Sequence, residues 1–499
     1  MVALAVVTIA AAASFAVSPP PPPPPMIVQE HAPDSKRKVR ELLQQAAGAV
    51  ESGNPSEAET LLRAALDLDA GDAAATLALG KLLCENDGGA EGLALLYHAV
   101  ELEPKSGEAT VALVDELLAL RDACFAEGDA SNADANLARA HDALDRAAKQ
   151  GAPPTSALEL RRVRVLTRSD CGGGEAFERA KKLVAADAED QELQVALVEA
   201  ASAAKAFDDA LAFYAATEME PWIQSWFTAA VKEARAHYAF NHYENDEQAV
   251  NDYLAAGALF LESARLHPEV FDAASERASF ERSWAGWVRF LRQQRAEEAW
   301  ELFVAAWGRD SGNASAIEGM SWICQRLYEA GELEKTREYA RQACVIAPER
   351  SDFWNNYGLV CRDTGQFEES FRAYRRAMAL SPDDGRIVND CALILLYHLH
   401  RDLDLCERWF IRAEDLARAK LEQAKRDQDE GQITEQRGVV GDALANLARL
   451  FAEQGRMQES AQEWSELRDL DPGRPELPEN GGQGNVPGAA NPPPPPPNR

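Results

Sequence analysis

The sequence predicts an all-α protein, a right-handed superhelical solenoid of antiparallel helix hairpins. Apolar residues and glycines recur with a period of about 34 residues in several parts of the chain. Alanine, leucine, glutamate and arginine dominate the middle of the chain, where β-branched runs are scarce, and this composition favours helix over strand. At 499 residues the chain is too long for one ordinary core, so a repeat array or several domains are expected.

Two segments of unusual composition precede the repeats. Residues 1–18 carry no charge and are nearly all apolar, which fits a signal-like segment, a membrane anchor or a mis-assigned start. Residues 19–37 are predicted to be a proline-rich linker, because the block Pro19–Pro25 favours a stiff polyproline helix. Export or membrane anchoring through residues 1–18 is favoured, and a cytoplasmic location is the alternative.

The clearest repeat runs from Ser351 to Asp384. Its first helix is predicted by four residues that share one face through i, i+3, i+4 and i+7 spacing, namely Trp354, Tyr357, Gly358 and Cys361. Gly365 then marks a turn, and Pro382 ends the unit because proline cannot continue a helix. The inward face of the second helix is predicted to consist of Ser370, Tyr374 and Ala377. Two such short helices need stacked neighbours to bury their faces.

Neighbours in the same frame exist. They begin at Val39, Ala73, Ile317 and Gly441. We therefore predict N-terminal repeats over residues 38–106 and C-terminal repeats over residues 317–474.

Residues 107–316 are predicted to hold divergent helical repeats with insertions. One divergent unit over residues 237–270 is predicted from Phe240, Tyr243, Ala256, Phe260 and Pro268. Another is predicted over residues 280–313, which gives roughly eight to ten units in the chain.

The C-terminal region departs from the frame in two places. After Gly385 the second helix arrives two residues late, at Cys406, and residues 414–440 are mostly charged and helix-forming. We predict a helical insertion at about 414–440, either an extension of the hairpin or a mobile segment. Residues 475–499 are rich in glycine and proline, which is typical of a disordered tail.

The repeat resembles the tetratricopeptide repeat family, whose units carry Trp, Leu-Gly, Tyr, Ala, Phe, Ala and Pro at these offsets. The resemblance implies a TPR-like α-α superhelix with a concave groove lined by the first helices. Such a groove is expected to hold an extended peptide or a partner helix.

Members of this family are known to clamp a chaperone's C-terminal carboxylate with Lys and Asn residues on three first helices. The matching positions here are Ser321, Gln325, Asn356, Arg386 and Asp390. Ser321 replaces a needed lysine, and Asp390 would repel a carboxylate, so this clamp is not expected. Gln325, Asn356 and Arg386 are kept as candidates for lining a partner groove.

The charge balance limits the class of partner. The chain has 51 basic and 82 acidic residues, which gives a formal charge of −31. Nucleic-acid binding needs a cationic surface and is not expected. An acidic surface would attract basic partner segments, although a solvated face without a binding role is the simpler interpretation.

The sequence contains few groups that point to chemistry. It has no HExxH, GxSxG, paired CxxC or nucleotide-binding loop, so no catalytic or cofactor-binding residue and no small-molecule substrate are predicted. The metal-capable side chains cluster in one segment, which contains His398, His400, Asp402, Asp404 and Cys406. This segment coincides with the lengthened turn, where polar residues are expected anyway, so no metal site is predicted. The eight cysteines are expected to be reduced packing residues.

Ten tryptophans raise the question of a binding surface. The inward offsets of the repeat are occupied by Trp287, Trp354 and Trp464, which are expected in the core. The repeat pattern does not assign Trp222, Trp226, Trp284 and Trp300 to inward positions. Any of them could line a groove, although a place in the core is favoured.

The leading hypothesis is a non-catalytic protein-binding scaffold, with a protein or peptide as its partner. The alternatives are a repeat-containing targeting subunit of an enzyme, or an envelope-anchored assembly factor held through residues 1–18. Once the repeats are assigned, no uninterrupted stretch remains for a catalytic α/β domain.

Overall fold

A computed structural model gives the structure of the chain and describes residues 33–86, 88–474 and 477. Within these residues the chain forms twenty-two α-helices and no strand, which confirms the predicted all-α class. The predicted signal-like segment 1–18 and nearly all of the predicted tail 475–499 lie outside the described residues. The helices in the described part are all too short or too polar to cross a membrane.

The chain divides into two compact units between Gln293 and Gln294. The α-helices of unit 1 are α1 Pro33–Glu51, α2 Pro55–Leu68, α3 Ala73–Glu85, α4 Gly89–Leu102, α5 Gly107–Ala126, α6 Ala130–Gln150, α7 Ser156–Thr167, α8 Gly173–Ala186, α9 Gln191–Ala204, α10 Phe207–Ala216, α11 Pro221–Asn241, α12 Asp246–Leu266 and α13 Phe271–Trp287. The α-helices of unit 2 are α14 Ala296–Arg309, α15 Ala314–Glu329, α16 Leu333–Ile346, α17 Ser351–Asp363, α18 Phe367–Leu380, α19 Gly385–Ile394, α20 Leu403–Asp427, α21 Glu430–Glu453 and α22 Met457–Leu470.

Consecutive helices form hairpins within each unit. In unit 1 each helix packs against the next, and the first helices α5, α7, α9 and α11 also pack against one another. In unit 2 the hairpins run from α15/α16 to α21/α22, and α19 packs against α21. Six hairpins in unit 1 and four in unit 2 make ten, so the described chain is a helical-hairpin solenoid in each unit.

The hairpin turns owe their shape to glycine. Gly331, Gly365 and Gly455 end first helices of unit 2 with φ of 76°, 76° and 77°. This left-handed conformation is strained for residues with a Cβ atom. Because the turn is the same each time, the second helix starts in the same direction in each of these hairpins.

Helix α1 begins at Pro33, inside the stretch that the sequence predicts as linker to residue 37. The divergent unit predicted over 237–270 also has a different frame. Its first helix is α11, which starts at Pro221, and Tyr243 lies in the following turn with 80% of its surface exposed. Proline at the first position of α11 supplies the start signal that the apolar spacing alone does not show.

The lengthened turn near residue 400 has a backbone cause. A π-helical turn at Leu395–Leu399 follows α19, and His400 and Asp402 then take φ of 46° and 57° before α20 begins. Residues 414–440 form the end of α20 and the start of α21, joined by a tight turn at Gln428. In the structure the charged segment extends the α20/α21 hairpin, and Leu421, Ala424 and Ile433 pack together inside it.

Candidate functional site

In unit 2, side chains bond between first helices in two pairs, α15 with α17 and α19 with α21. The Tyr328 hydroxyl of α15 donates to Asp363 Oδ2 of α17 at 2.5 Å. The Asn446 amide of α21 donates to Asn389 Oδ1 of α19 at 3.0 Å. The hydroxyl of Tyr397, which follows α19, donates to Asn446 Oδ1 at 3.0 Å. We call the side of α15, α17, α19 and α21 that carries these bonds the polar face.

The three groove candidates lie on three successive first helices. Gln325 of α15 is exposed, and its Nε2 donates to Glu329 of the same helix at 2.9 Å. Asn356 of α17 is half-buried, and Arg386 of α19 is exposed with Nη2 at 4.0 Å from Asp384. No hydrogen bond joins the three among the described side chains. They remain predictions as partner-binding residues.

A second set of side chains, which the repeat pattern does not single out as a group, comes from α17, α18 and α19. We call Arg362, Asp363, Tyr374 and Asp390 the α17–α19 cluster, because the charges of Arg362, Asp363 and Asp390 all act on the pKa of Tyr374. Arg362 Nε donates to Asp363 at 2.8 Å, so this arginine has its own carboxylate partner. Tyr374 of α18 packs in the core with Cys391 and Ile394 of α19.

Tyr374 shows how tightly the cluster is enclosed. A Cβ atom on Gly358 of α17 would lie 2.9 Å from the Tyr374 ring, so only glycine lets this ring approach. The Tyr374 side chain is fully buried, and its hydroxyl has no hydrogen-bond partner among the described residues. Burial, and next the charge of Asp390, raise the pKa of Tyr374 well above its ordinary value.

The surroundings of Asp390 disfavour the ionised form of its carboxyl group. Burial raises the pKa of Asp390 to about 6, although the charges of Arg362 and Arg386 act in the opposite direction. No lysine or arginine of the described chain forms an ion pair with it. Asn355 of α17, 8% exposed, likewise has a side-chain oxygen with no partner among the described residues.

The metal-capable segment does not assemble a site. His398 stacks on Phe367 with ring centroids 4.3 Å apart, His400 is exposed, and Cys406 is fully buried. Burial, and next the charge of Arg362, lower the pKa of His398. The described residues contain no group of three or more His, Cys, Asp or Glu side chains placed to hold a metal ion.

The cysteines and tryptophans follow the repeat only in part. All eight cysteines are free thiols, and five are buried, whereas Cys171 is exposed in the turn before α8. Trp300, which the frame left open, is buried and donates to Gln342 at 3.0 Å. Trp354, expected in the core, is only half-buried, because the adjacent Phe353 takes the inward position.

Unit 1 holds a separate buried polar cluster at α11, α12 and α13. Arg277 donates to Glu233, and the Tyr253 hydroxyl lies 2.8 Å from His237 Nδ1. Burial, and next the charge of Glu233, raise the pKa of Glu281 to about 9, while Arg277 acts in the opposite direction. The Glu281 side chain is fully buried.

Comparison with known proteins identifies one hairpin. Residues 351–384, which span α17 and α18, match the family model of the tetratricopeptide repeat. No curated protein matches the sequence significantly.

Several solved structures are similar at low identity. The APC/C hetero-tetramer Cut9–Hcn1 is 13% identical, with 88% of this chain and 95% of that chain covered and a TM-score of 0.31. A tetratricopeptide repeat protein from Parabacteroides merdae is 14% identical, with 57% and 99% covered and a TM-score of 0.35. Yeast Tom70 is 15% identical, with 87% and 92% covered and a TM-score of 0.24.

Proposed function

The chain is a tetratricopeptide-repeat (TPR) protein, and we propose that it is a non-catalytic scaffold whose first helices present a groove to a peptide or partner protein. The observation that carries this proposal is the polar face of unit 2. Its side chains bond from helix to helix, so the face is preorganised, and a preorganised surface loses little conformational entropy when a partner binds.

Accessible anchors on this face support the same role. Trp322 of α15 is 44% exposed, and Arg386 of α19 is exposed. Tryptophan and arginine are the residue types that most often dominate the energy of protein interfaces. Their accessibility on two first helices of the polar face, α15 and α19, is what a partner-binding face requires.

The experiment compares two matched double variants of the full chain. Trp322→Ala with Arg386→Ala removes both anchors from the polar face. Val345→Ala with Arg376→Ala removes an exposed apolar side chain and an exposed arginine from the second helices α16 and α18. Proteins captured from native lysate by each form are quantified by mass spectrometry.

We expect the wild type and the α16/α18 variant to capture at least one protein in similar amounts. The captured amount of that protein should fall about tenfold or more with the polar-face variant. A capture profile that is the same for all three forms would contradict the proposal. Circular dichroism of each variant checks that the helical content is unchanged.

A further inference from the structure

The second helices α18 and α20 lie side by side in unit 2. The Phe371 ring of α18 and the Trp409 ring of α20 have centroids 6.3 Å apart, and both rings are half-buried. Arg412 of α20 donates to the backbone carbonyl of Pro382, which follows α18, at 2.6 Å. Met378 of α18 and Trp409 pack on the same core residues. The two helices therefore share a partly exposed apolar strip.

Three exposed arginines border this strip. The Arg375 guanidinium carbon lies 5.9 Å from the centroid of the Phe371 ring. Arg408 precedes Trp409 and lies one helical turn before Arg412, so these two arginines share one side of α20. None of the three arginines forms an ion pair with a carboxylate of the described residues. We call Arg375, Arg408 and Arg412, together with Phe371 and Trp409, the α18–α20 surface.

The carboxylates of the same helices do not neutralise these arginines. Of the carboxylates in α18, and in α20 as far as Asp415, all but two have an arginine partner. The pairs are Glu368 with Arg401, Glu369 with Arg337, Glu407 with Arg456 and Glu414 with Arg418.

The remaining charges make this part of the chain locally positive. Asp404 and Asp415 have no cationic partner among the described residues, and neither do the α18 arginines Arg372 and Arg376 have a carboxylate partner. Together with the three arginines of the α18–α20 surface, five unpaired arginines therefore stand against two unpaired carboxylates. The chain as a whole has a formal charge of −31, so an unpaired arginine group with two aromatic rings is unusual on it.

The chemistry of these side chains indicates what they recognise. A guanidinium group binds a carboxylate through two parallel hydrogen bonds that are stronger than bonds between neutral groups. Arginine and aromatic side chains also contribute most to the energy of protein interfaces. A nucleic acid, the other common polyanion, carries a phosphate at every nucleotide and would be repelled by the acidic remainder of the chain.

We propose that the α18–α20 surface binds an acidic segment of a partner protein. In this complex, carboxylates on either side of an apolar residue pair with Arg375 on α18 and with Arg408 and Arg412 on α20. The apolar residue packs on the rings of Phe371 and Trp409. This surface belongs to second helices, so it is a binding surface in addition to the polar face of the first helices.

The test uses the full chain and the fluorescein-labelled peptide Glu-Glu-Glu-Phe-Glu-Glu-Glu, amidated at its C-terminus. In the control peptide every glutamate is replaced by glutamine, which removes the charges and keeps the size. Affinity is measured by fluorescence anisotropy at pH 7.4 in about 0.1 M salt, where exposed charges more than about 10 Å apart are largely screened. A labelled oligodeoxythymidine of eight nucleotides is measured in the same way.

Two double variants with the same change in charge are compared. Arg375→Gln with Arg412→Gln removes one arginine from each side of the α18–α20 surface. Arg309→Gln with Arg437→Gln removes two exposed arginines from α14 and α21, which also form no ion pair among the described residues. Thermal unfolding of each variant checks that the exposed substitutions leave the fold intact.

We expect the Arg375/Arg412 variant to bind the acidic peptide about tenfold or more weakly, whereas the Arg309/Arg437 variant changes binding less than twofold. Arg408→Gln alone should weaken binding about threefold. The glutamine peptide is expected not to bind. The Trp322→Ala, Arg386→Ala variant of the polar face should bind the acidic peptide within twofold of the wild type.

Equal weakening by the two arginine double variants would overturn the proposal, because the peptide would then respond only to total charge. Absence of acidic-peptide binding would overturn it as well, and so would tighter binding of the oligonucleotide than of the peptide. A loss of peptide binding in the Trp322/Arg386 variant would place the peptide on the polar face instead. In each of these cases the proposed scaffold function stands or falls separately, by its own capture experiment.

Discussion

The side-chain amide of Asn446 donates a hydrogen bond to the side-chain oxygen of Asn389 across the α19–α21 interface. The side-chain oxygen of Asn446 also has a partner, because the Tyr397 hydroxyl donates a hydrogen bond to Asn446 Oδ1. One unit earlier in the sequence the same two repeat positions are Asn355 and Asp390. No such hydrogen bond forms there, and Asn355 Oδ1 is buried without a partner among the described residues.

The first prediction is that Asp390→Asn stabilises unit 2 at neutral pH. The folded chain raises the pKa of Asp390 to about 6, so the stability that its neutral form provides is present below its ordinary pKa and is lost as the pH rises through about 6. Asparagine stays neutral, so its burial costs less free energy than the burial of an ionised carboxylate. We expect a gain of about 1 kcal/mol at pH 7.5, after allowing for partial exposure.

Urea unfolding at pH 7.5 and pH 5.0 measures this effect, and the gain should be smaller at pH 5.0. Asp415→Asn is the control and should change stability by less than about 0.5 kcal/mol. A variant that is less stable than the wild type at pH 7.5 would show that the Asp390 carboxylate is well satisfied.

The second prediction concerns the buried Glu281 of unit 1. Its raised pKa, about 9, means that the stability provided by its neutral form is lost as the pH rises from about 4.5 through 9. Glutamine cannot ionise and can donate to the adjacent Glu233 carboxylate. We expect Glu281→Gln to be more stable than the wild type, by about 2 kcal/mol at pH 8.5 and by less at pH 5.5.

Thermal or urea unfolding at the two pH values checks the Glu281 prediction. Glu276→Gln, on an exposed position of the same helix α13, is the matched control and should show no such pH trend. If Glu281 were ionised and paired with Arg277, the glutamine variant would lose stability at both pH values.

The third prediction concerns glycines that allow helices to approach. A Cβ atom on Gly319 of α15 would lie 2.3 Å from Phe303 of α14, and one on Gly358 would lie 2.9 Å from the Tyr374 ring. Overpacking of this kind costs about 1–3 kcal/mol, so both alanine variants should be less stable, with Gly319→Ala the worse. Gly438 of α21 has nothing within 4 Å of such a Cβ atom.

Gly438→Ala is therefore the control, and we expect it to stabilise the chain by about 0.5–1 kcal/mol through helix propensity. The midpoints of urea unfolding for the three variants give the comparison. A stabilising effect of Gly319→Ala would show that α14 and α15 can separate without loss.

The sequence is most informative where the repeat is regular. Gly365 and Pro382 locate the turn and the end of the α17/α18 hairpin, because each residue restricts the backbone by itself. The frame is less reliable where helices lengthen. Apolar spacing fits the end of α11 as well as its beginning, so it does not show that this helix starts at Pro221 and that Tyr243 lies in the following turn. The π-helical turn before His400 has no sequence signal that we recognise.

The candidate site is harder to predict than the fold, for a physical reason. Gln325, Asn356 and Arg386 follow from their offsets in a single repeat. The repeat pattern gives the residue types at Asn355 and Tyr374 but not their hydrogen-bond partners. Only the packed structure shows that Asn355 Oδ1 and the Tyr374 hydroxyl are buried without a partner among the described residues.

The last prediction concerns the hairpin extension at residues 414–440. Leu421 is 4% exposed and packs with Ala424 and Ile433, a cluster confined to α20 and α21. Leu421→Ala should cost about 2–3 kcal/mol of local stability. Because these contacts stay within one hairpin, the loss should appear as local opening rather than global unfolding. Hydrogen exchange followed by mass spectrometry should show amides of 414–440 exchanging about 30–100 times faster, with α17 and α18 unchanged.

The control is Lys420→Ala, which changes an exposed neighbour of Leu421. If Leu421→Ala instead made exchange faster throughout unit 2, the extension would belong to one cooperative unit with the other hairpins.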